Sequence, residues 1–190
     1  MSGVAASGVA VSGVAGGFIY PGDEAGRRYV VLGLGNRIQG DEALGSLVIE
    51  QLSADGSPVE ALPDPGSIDL VDGGTVGLAL LPRLEDADGL VVVDIIDGDL
   101  DPGALQDIDG SLLLRRDIVM GVHDLGATEL LATLQLMGAM PRRVRVVGIQ
   151  PRLVSLGTEL TPEVEASVPA LLDTVLAYLR TWQTEDGSGG

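Results

Sequence analysis

The chain has 190 residues, neither cysteine nor lysine, and a formal net charge of −17 at pH 7. Its length predicts one domain with a sizeable core, and its negative charge disfavours nucleic acid and anionic membrane surfaces as partners, because both would be repelled. The absence of cysteine excludes a disulfide framework and a thiol nucleophile, and the absence of lysine excludes Schiff-base chemistry and a Walker-type phosphate loop. No apolar run approaches the roughly 18 to 20 residues that a membrane span needs.

The first part of the chain differs in composition from the rest. The sequence Ser-Gly-Val-Ala begins at residues 2, 7 and 12, so this segment has little side-chain bulk to bury. We predict a disordered low-complexity tail over residues 1–27, a single α/β domain over 28–184 and a loose C-terminus over 185–190. The tail lacks the basic start and leucine-rich centre of a signal peptide, so we expect a cytoplasmic protein.

From Tyr29 onward, apolar runs typical of buried strands alternate with segments of helical periodicity. Strands are predicted over 29–35, 67–71, 89–95 and 143–150, and helices over 41–53, 76–87, 124–138 and 161–182. Pro82 kinks or divides the second helix, and residues 111–115 are predicted as an antiparallel edge strand. This alternation predicts an α/β three-layer sandwich, in which helices cover both faces of a mostly parallel, twisted five-stranded sheet.

The first strand ends in a glycine-rich loop, Gly33-Leu34-Gly35-Asn36. A strand, a glycine loop and a helix commonly form a ligand crevice at the carboxyl edge of an α/β sheet. The dinucleotide fingerprint requires a third glycine where this chain has Ile38, so the loop fails that test. It offers instead a carboxylate, Glu42, in the first turn of the following helix.

Two further residues with ligand chemistry occupy comparable positions in the predicted fold. Asp94 ends an apolar strand, where an unpaired buried carboxylate would be costly, and His123 lies at a predicted helix start. Two carboxylates and an imidazole can bind a divalent metal and leave positions open for water or substrate. Each of these residue types is also common as a helix cap, a turn residue or a partner of the helix dipole. The residues alone therefore leave a metal site and a structural role open.

The order of several motifs adds a family resemblance to this interpretation. The glycine loop and Gly40-Asp-Glu-Ala-Leu-Gly45 are followed by Asp72-Gly-Gly-Thr-Val-Gly77, Val92-Val-Asp94, His123-Asp-Leu-Gly126, Arg145-Val-Val-Gly148-Ile-Gln-Pro151 and Leu160-Thr-Pro-Glu-Val-Glu165. In order and spacing these segments resemble the hydrogenase maturation endopeptidases, which trim the C-terminus of the large subunit of nickel-iron hydrogenases. The resemblance covers about residues 29 to 180 and implies a phosphorylase/hydrolase-like α/β fold.

The resemblance also implies functions for individual residues. It places the family's catalytic and metal-contacting trio on Glu42, Asp94 and His123, which would recognise nickel already installed in the hydrogenase large-subunit precursor. Nickel would thus arrive with the substrate, and no organic cofactor is expected. The segment Asp72-Gly73-Gly74-Thr75 matches the family's crevice loop and is assigned to substrate contact.

The sequence leaves several alternatives open for the mechanism and for the class of function. The trio could sense the nickel of the substrate and position the scissile bond, or it could hold a metal that activates water. Water is the expected nucleophile, because the chain lacks cysteine and a second histidine that could activate a serine. Asp41, Asp72 and Asp124 are candidates for the base. The alternative functions are a non-catalytic metal- or nucleotide-binding module on a Rossmann-like sheet, and a chaperone that grips the nickel-loaded large subunit.

Overall fold

The computed structural model describes residues 26–75, 78–114, 125–152 and 156–188. The strands are β1 (Tyr29–Leu34), β2 (Ile68–Gly74), β3 (Gly89–Ile95), β4 (Leu105–Asp109) and β5 (Arg143–Ile149). The α-helices are α1 (Leu44–Ser53), α2 (Leu81–Leu84), α3 (Gly110–Leu113), α4 (Leu125–Met137) and α5 (Pro162–Gly187). Short 3₁₀ helices cover Gly40–Ala43, Pro58–Ala61, Pro65–Ser67 and Leu78–Leu80.

The five strands form one sheet in the order β2-β1-β3-β5-β4. Strands β1, β2, β3 and β5 are parallel, and β4 pairs antiparallel with β5. The prediction of a mostly parallel five-stranded sheet is thus confirmed. The parallel strands end together at what we call the carboxyl edge of the sheet and begin together at the amino edge. The chain leaves β1 toward β2 and later returns to its other side with β3, so a topological switch point lies beside β1.

Helices cover both faces of the sheet. Val31 and Val91 pack on one face against α1 and α5, whereas Val30 and Val92 pack on the other face against α2, α3 and α4. All four valines are fully buried, which explains why their strands read as unbroken apolar runs rather than as alternating patterns. The predicted three-layer sandwich is therefore present.

The prediction of an edge strand over residues 111–115 is wrong in position. The antiparallel strand is Leu105–Asp109, and the residues after it form the short helix α3. The Asp109 carboxylate accepts a hydrogen bond from the Ser111 N–H (2.9 Å) and so caps this helix. Strand β4 alternates between exposed and half-buried residues, because it lies at the edge of the sheet.

The second predicted helix is shorter than expected. In place of a helix over 76–87, the described residues form the 3₁₀ turn Leu78–Leu80 and the one-turn helix α2. Pro82 lies in the first turn of α2, where a missing N–H costs nothing, so it begins the helix rather than kinking it. Strand β2 continues three residues beyond its predicted end and includes Asp72, Gly73 and Gly74.

The two ends of the chain differ from their predictions in one respect. Helix α5 continues to Gly187, so residues 185–187, which were expected to be loose, are helical. Of the predicted tail, the structure describes only Gly26 and Arg27, and Arg27 forms an ion pair with Asp88 (3.1 Å). In the described ranges, none of the helices has the length and apolar character needed to cross a membrane.

Candidate active site

Glu42 lies in the 3₁₀ turn between β1 and α1, and its backbone is fixed by the glycine loop. The Asn36 N–H donates to the Glu42 carbonyl oxygen (2.8 Å). A Cβ on Gly35 would lie 1.9 Å from that same oxygen, and the φ of Gly35 is +142°. Only glycine therefore lets the turn fold back this closely onto the carboxyl end of β1.

A second pair of glycines brings α1 against β1. A Cβ on Gly33 would lie 2.2 Å from the Gly45 carbonyl oxygen, and a Cβ on Gly45 would lie 2.0 Å from that of Leu34. A side chain at either position would push α1 away from the sheet and displace the turn that carries Glu42. The glycines thus serve backbone packing, which explains a Gly-x-Gly pattern without the third glycine of a nucleotide loop.

Asp41 fixes the same turn from the other side. Its carboxylate is fully buried and accepts hydrogen bonds from the Thr161 N–H (2.7 Å), the Thr161 hydroxyl (3.0 Å) and the Arg152 N–H (3.0 Å). Thr161 is the residue that precedes α5, so Asp41 joins the turn to the start of that long helix. These contacts assign Asp41 a structural role, because its buried carboxylate is held by three donors that fix the turn.

Glu42 and Asp94 line one cavity of about 220 Å³ at the carboxyl edge, between the ends of β1, β2 and β3 and the start of α4. Both residues are half-buried. The described lining residues are Leu34, Gly35, Asn36, Glu42, Gly74, Thr75, Asp94, Ile95 and Gly126. Of the residues predicted for the site, the structure thus brings Glu42, Asp94, Gly74 and Thr75 together.

Asn36 belongs to this cavity and was not singled out by the sequence. Its side-chain N–H donates to the Gln39 side chain (2.8 Å), and its side-chain oxygen accepts from the Ile38 N–H (3.3 Å). The only signal in the sequence is its position directly after Gly35, where the strand gives way to the turn.

His123, the third member of the predicted trio, lies outside the described residues, as does Asp124. The described part of α4 begins at Leu125, and Gly126 lines the cavity. Within the described ranges, no three Asp, Glu or His side chains are grouped closely enough to hold a metal ion. The trio therefore stays a prediction, of which two members share a cavity.

Asp72 is absent from the described lining of this cavity and fixes its wall instead. One carboxylate oxygen accepts from the Ser46 hydroxyl (2.7 Å) and the Gly74 N–H (3.2 Å), and the other accepts from the Arg37 guanidinium (3.0 Å). Partial burial favours the neutral acid, but the hydrogen bonds from Ser46, Arg37 and Gly74 together with the Arg37 charge outweigh it and lower the pKa of Asp72. This depressed pKa makes Asp72 a weak base.

The predicted crevice loop thus divides into two parts. Gly74 and Thr75 line the cavity, whereas Gly73 is buried and leaves no room for a side chain between it and Leu32 and Leu80. A Cβ on Gly73 would lie 2.8 Å from a methyl group of Leu32. A larger residue there would displace the end of β2 and, with it, the cavity wall.

Comparison with known proteins places this architecture in a family. A family model described as hydrogenase maturation protease matches residues 47–178, which is more than half of the chain. The hydrogenase expression/formation protein HupD of Rhodobacter capsulatus is 34% identical over 171 residues, covering 85% of this chain and 76% of the relative. The hydrogenase 2 maturation protease of Escherichia coli K12 is 34% identical over 161 residues, covering 80% of this chain and 91% of that protein.

Solved structures agree with these sequence matches. The hydrogenase maturating endopeptidase HybD from E. coli superposes with a TM-score of 0.66 at 31% identity, over 81% of this chain and 93% of that chain. The hydrogenase 2 maturation peptidase from a Thaumarchaeota archaeon superposes with a TM-score of 0.59 at 31% identity, over 80% and 98%. Family model, relatives and solved structures agree, and the chain belongs to the hydrogenase maturation protease family.

Proposed function

We propose that this chain removes the C-terminal extension of a nickel-iron hydrogenase large-subunit precursor after nickel insertion, and that Glu42, Asp94 and His123 contact the nickel that the precursor carries. The observation behind this proposal is that carboxylates from two separate segments, Glu42 and Asp94, line one cavity at the switch point of the sheet. Relatives named for hydrogenase maturation support the class of substrate.

The donor set suits a divalent metal that arrives with the substrate. Carboxylates and a neutral imidazole are ligands for borderline divalent ions such as Ni²⁺. In the sequence His123 stands two residues before α4, whose residue Gly126 lines the cavity, and this position supports its assignment to the site. The imidazole must be neutral to bind a metal, so processing should weaken below about pH 6.

Nickel binding would then orient the scissile peptide. Holding a reacting bond in a fixed geometry can lower the barrier by several kcal/mol. Water attacks the scissile carbonyl carbon, the C–N bond breaks, and the leaving nitrogen takes up a proton. Among the described carboxylates, Asp41 is buried and Asp72 is held by Arg37, so Glu42 and Asp94 are the cavity carboxylates that can assist the proton transfer.

The test is a gel assay of purified precursor with and without nickel. Wild type should shorten only the nickel-loaded precursor. His123→Ala should abolish processing, and Glu42→Gln should nearly do so, since it removes the charge and keeps the shape. Glu50→Gln is the matched control, because Glu50 is an exposed carboxylate on α1 that lies outside the described cavity lining. It should process the precursor normally.

Several results would contradict the proposal. Equal cutting of nickel-free precursor would exclude nickel recognition, and full activity of His123→Ala would remove that residue from the site. Binding of the precursor without shortening would indicate a chaperone, and a thermal shift with NAD or ATP would favour the nucleotide-binding alternative. If added nickel on the enzyme alone restored cutting of metal-free precursor, the metal would act as a resident Lewis acid.

A further inference from the structure

Exposed apolar side chains are concentrated on the edge of the sheet where the cavity opens. In the described ranges, eight large hydrophobic residues are strongly exposed. Five of them lie on segments at the carboxyl edge, and we call these the apolar rim: Ile38, Leu78, Leu100, Leu105 and Leu156. The other three lie toward the amino edge: Leu112, Leu136 and Met137.

Topology assigns each member of the rim to that edge. Ile38 follows the end of β1, Leu78 follows β2 and Leu100 follows β3. Leu105 begins the antiparallel strand β4 opposite Ile149, which is the last residue of β5. By contrast, Leu136 and Met137 end α4, a helix that begins at the cavity and runs back toward the start of β5.

Two members of the rim, Ile38 and Leu156, lie on segments that are joined by backbone hydrogen bonds just before the turn that carries Glu42. The Gly157 N–H donates to the carbonyl oxygen of Ile38 (3.1 Å), and the Gly157 oxygen accepts from the Gly40 N–H (2.8 Å). This bridge holds Ile38, which is 61% exposed, next to the segment of Leu156, which is 83% exposed. Burying a large apolar side chain in a complex stabilises that complex by about 1.5–3 kcal/mol. The pair therefore provides apolar contact surface for a partner beside the cavity.

The cavity alone is too small to recognise a protein. It has about 220 Å³, enough for a short peptide segment, whereas a specific protein complex buries about 800 Å² per partner. The additional contact area must come from the surface around the opening. That surface carries the apolar rim, together with the exposed carboxylates of Asp97, Asp99 and Asp101 beside Leu100.

We infer that the apolar rim docks the folded body of the large-subunit precursor while the scissile segment enters the cavity. This inference rests on the proposed function and names the surface that supplies its affinity. A precursor surface that is apolar at its centre and neutral or basic around it would match the rim and the aspartates of the 97–101 loop. A second copy of this chain fits poorly, because two chains of net charge −17 would meet through their acidic edges.

The test compares two double variants of equal chemistry. Ile38→Ser/Leu156→Ser removes the rim pair, and Leu136→Ser/Met137→Ser removes an equally exposed pair at the opposite edge. The rim variant should raise the KM for nickel-loaded precursor, and the Kd measured by calorimetry, by about tenfold or more with kcat unchanged, which corresponds to about 1.4 kcal/mol or more. The control variant should change neither, and both should keep the wild-type melting temperature.

Each outcome decides the inference. An unchanged Kd in the rim variant, or an equal rise in both variants, would overturn it. Light scattering that showed a wild-type dimer lost only in the rim variant, with unchanged precursor affinity, would assign the rim to self-association and overturn it as well. If wild type bound the precursor but did not shorten it, only the proposed function would be refuted, because the inference about the rim is tested by the affinity for the precursor.

Discussion

The two edges of the sheet use charge in different ways. At the amino edge, arginines pair with carboxylates: Arg27 with Asp88 (3.1 Å) and Arg28 with Asp69 (3.0 Å). At the carboxyl edge, Arg37 pairs with Asp72 beside a cavity that Glu42 and Asp94 line together with mainly apolar and glycine residues. At the amino edge such pairs stabilise the fold, whereas under the proposed function the cavity at the carboxyl edge receives the nickel of the precursor.

The amino edge has one particularly well-connected carboxylate. Asp186 accepts hydrogen bonds from two nitrogens of Arg143 (2.7 and 3.0 Å) and from the Tyr29 hydroxyl (2.7 Å). The Arg143 hydrogen bond is the main cause that lowers the pKa of Asp186 to about 2. Burial, and then the hydrogen bond to Asp186, raise the pKa of Tyr29 to about 12. The shifted pKa values of Asp186 and Tyr29 thus result from interactions that stabilise the fold.

The sharpest test of this comparison replaces one carboxylate by the corresponding amide at each edge, in two separate variants. Asp94→Asn should reduce processing of nickel-loaded precursor about 30-fold or more, because removing one partner of a close charge contact typically costs 2–5 kcal/mol. Its melting temperature should stay close to that of wild type. Asp186→Asn should do the reverse, with reduced stability and normal activity of the folded protein. Gel processing assays and thermal melts on both variants give the answer.

The comparison fails if the two variants behave alike. Loss of activity in Asp186→Asn below its melting transition would mean that the amino edge controls the site. Normal processing by Asp94→Asn would remove Asp94 from the reaction.

Asp41 both stabilises the fold and positions the turn that carries Glu42. Asp41→Ala should lower the free energy of unfolding by about 1–3 kcal/mol for each donor that stays buried without an acceptor. It should also lower kcat more than it raises KM, because the adjacent Glu42 loses its fixed backbone. Urea denaturation and steady-state kinetics measure both effects. Asp41→Asn keeps one acceptor oxygen and should recover part of each, whereas equal damage in both variants would argue against a positioning role.

Acid titration separates Asp186 from the site. Its folded-state pKa of about 2 lies below the usual value, so its ionised form stabilises the fold above about pH 4, and this contribution is lost as the pH falls from about 4 to about 2. At pH 7, Asp186→Asn should therefore be less stable than wild type by about 1–2 kcal/mol. The two stability curves should converge near pH 2. Asp173→Asn, an exposed position on the same helix, is the control and should run parallel to wild type.

The sequence predicts the central strands best. The predicted spans 29–35, 89–95 and 143–150 differ from β1, β3 and β5 by no more than one residue. These strands are buried on both faces, so their apolar runs are continuous and easy to recognise. Strand β4 lies at the edge of the sheet and needs only one covered face. The segment Leu112–Leu114 that follows it is more apolar, and the prediction therefore placed the strand there.

The candidate site is predictable only where it follows from topology. Asp94 stands near the end of β3, and Glu42 lies in the turn that connects the neighbouring strand β1 to α1, so a parallel sheet brings the two to the same edge. Asp72 stands at an equivalent end, yet its side chain faces Ser46 and Arg37, which lie 26 and 35 positions away in the chain. Such long-range hydrogen bonds depend on side-chain orientation, which residue spacing does not specify.

The smallest effect is expected from deletion of residues 1–25. In sequence this segment is dominated by small residues, and the chain enters β1 at the amino edge through Arg27 and Arg28, which keep their contacts with Asp88. Since the segment offers little apolar bulk and joins the edge remote from the cavity, its removal should leave melting temperature and processing rate unchanged within error. A loss of several degrees would show that the segment contributes to cohesion, and a change in KM at constant stability would show that it reaches the carboxyl edge.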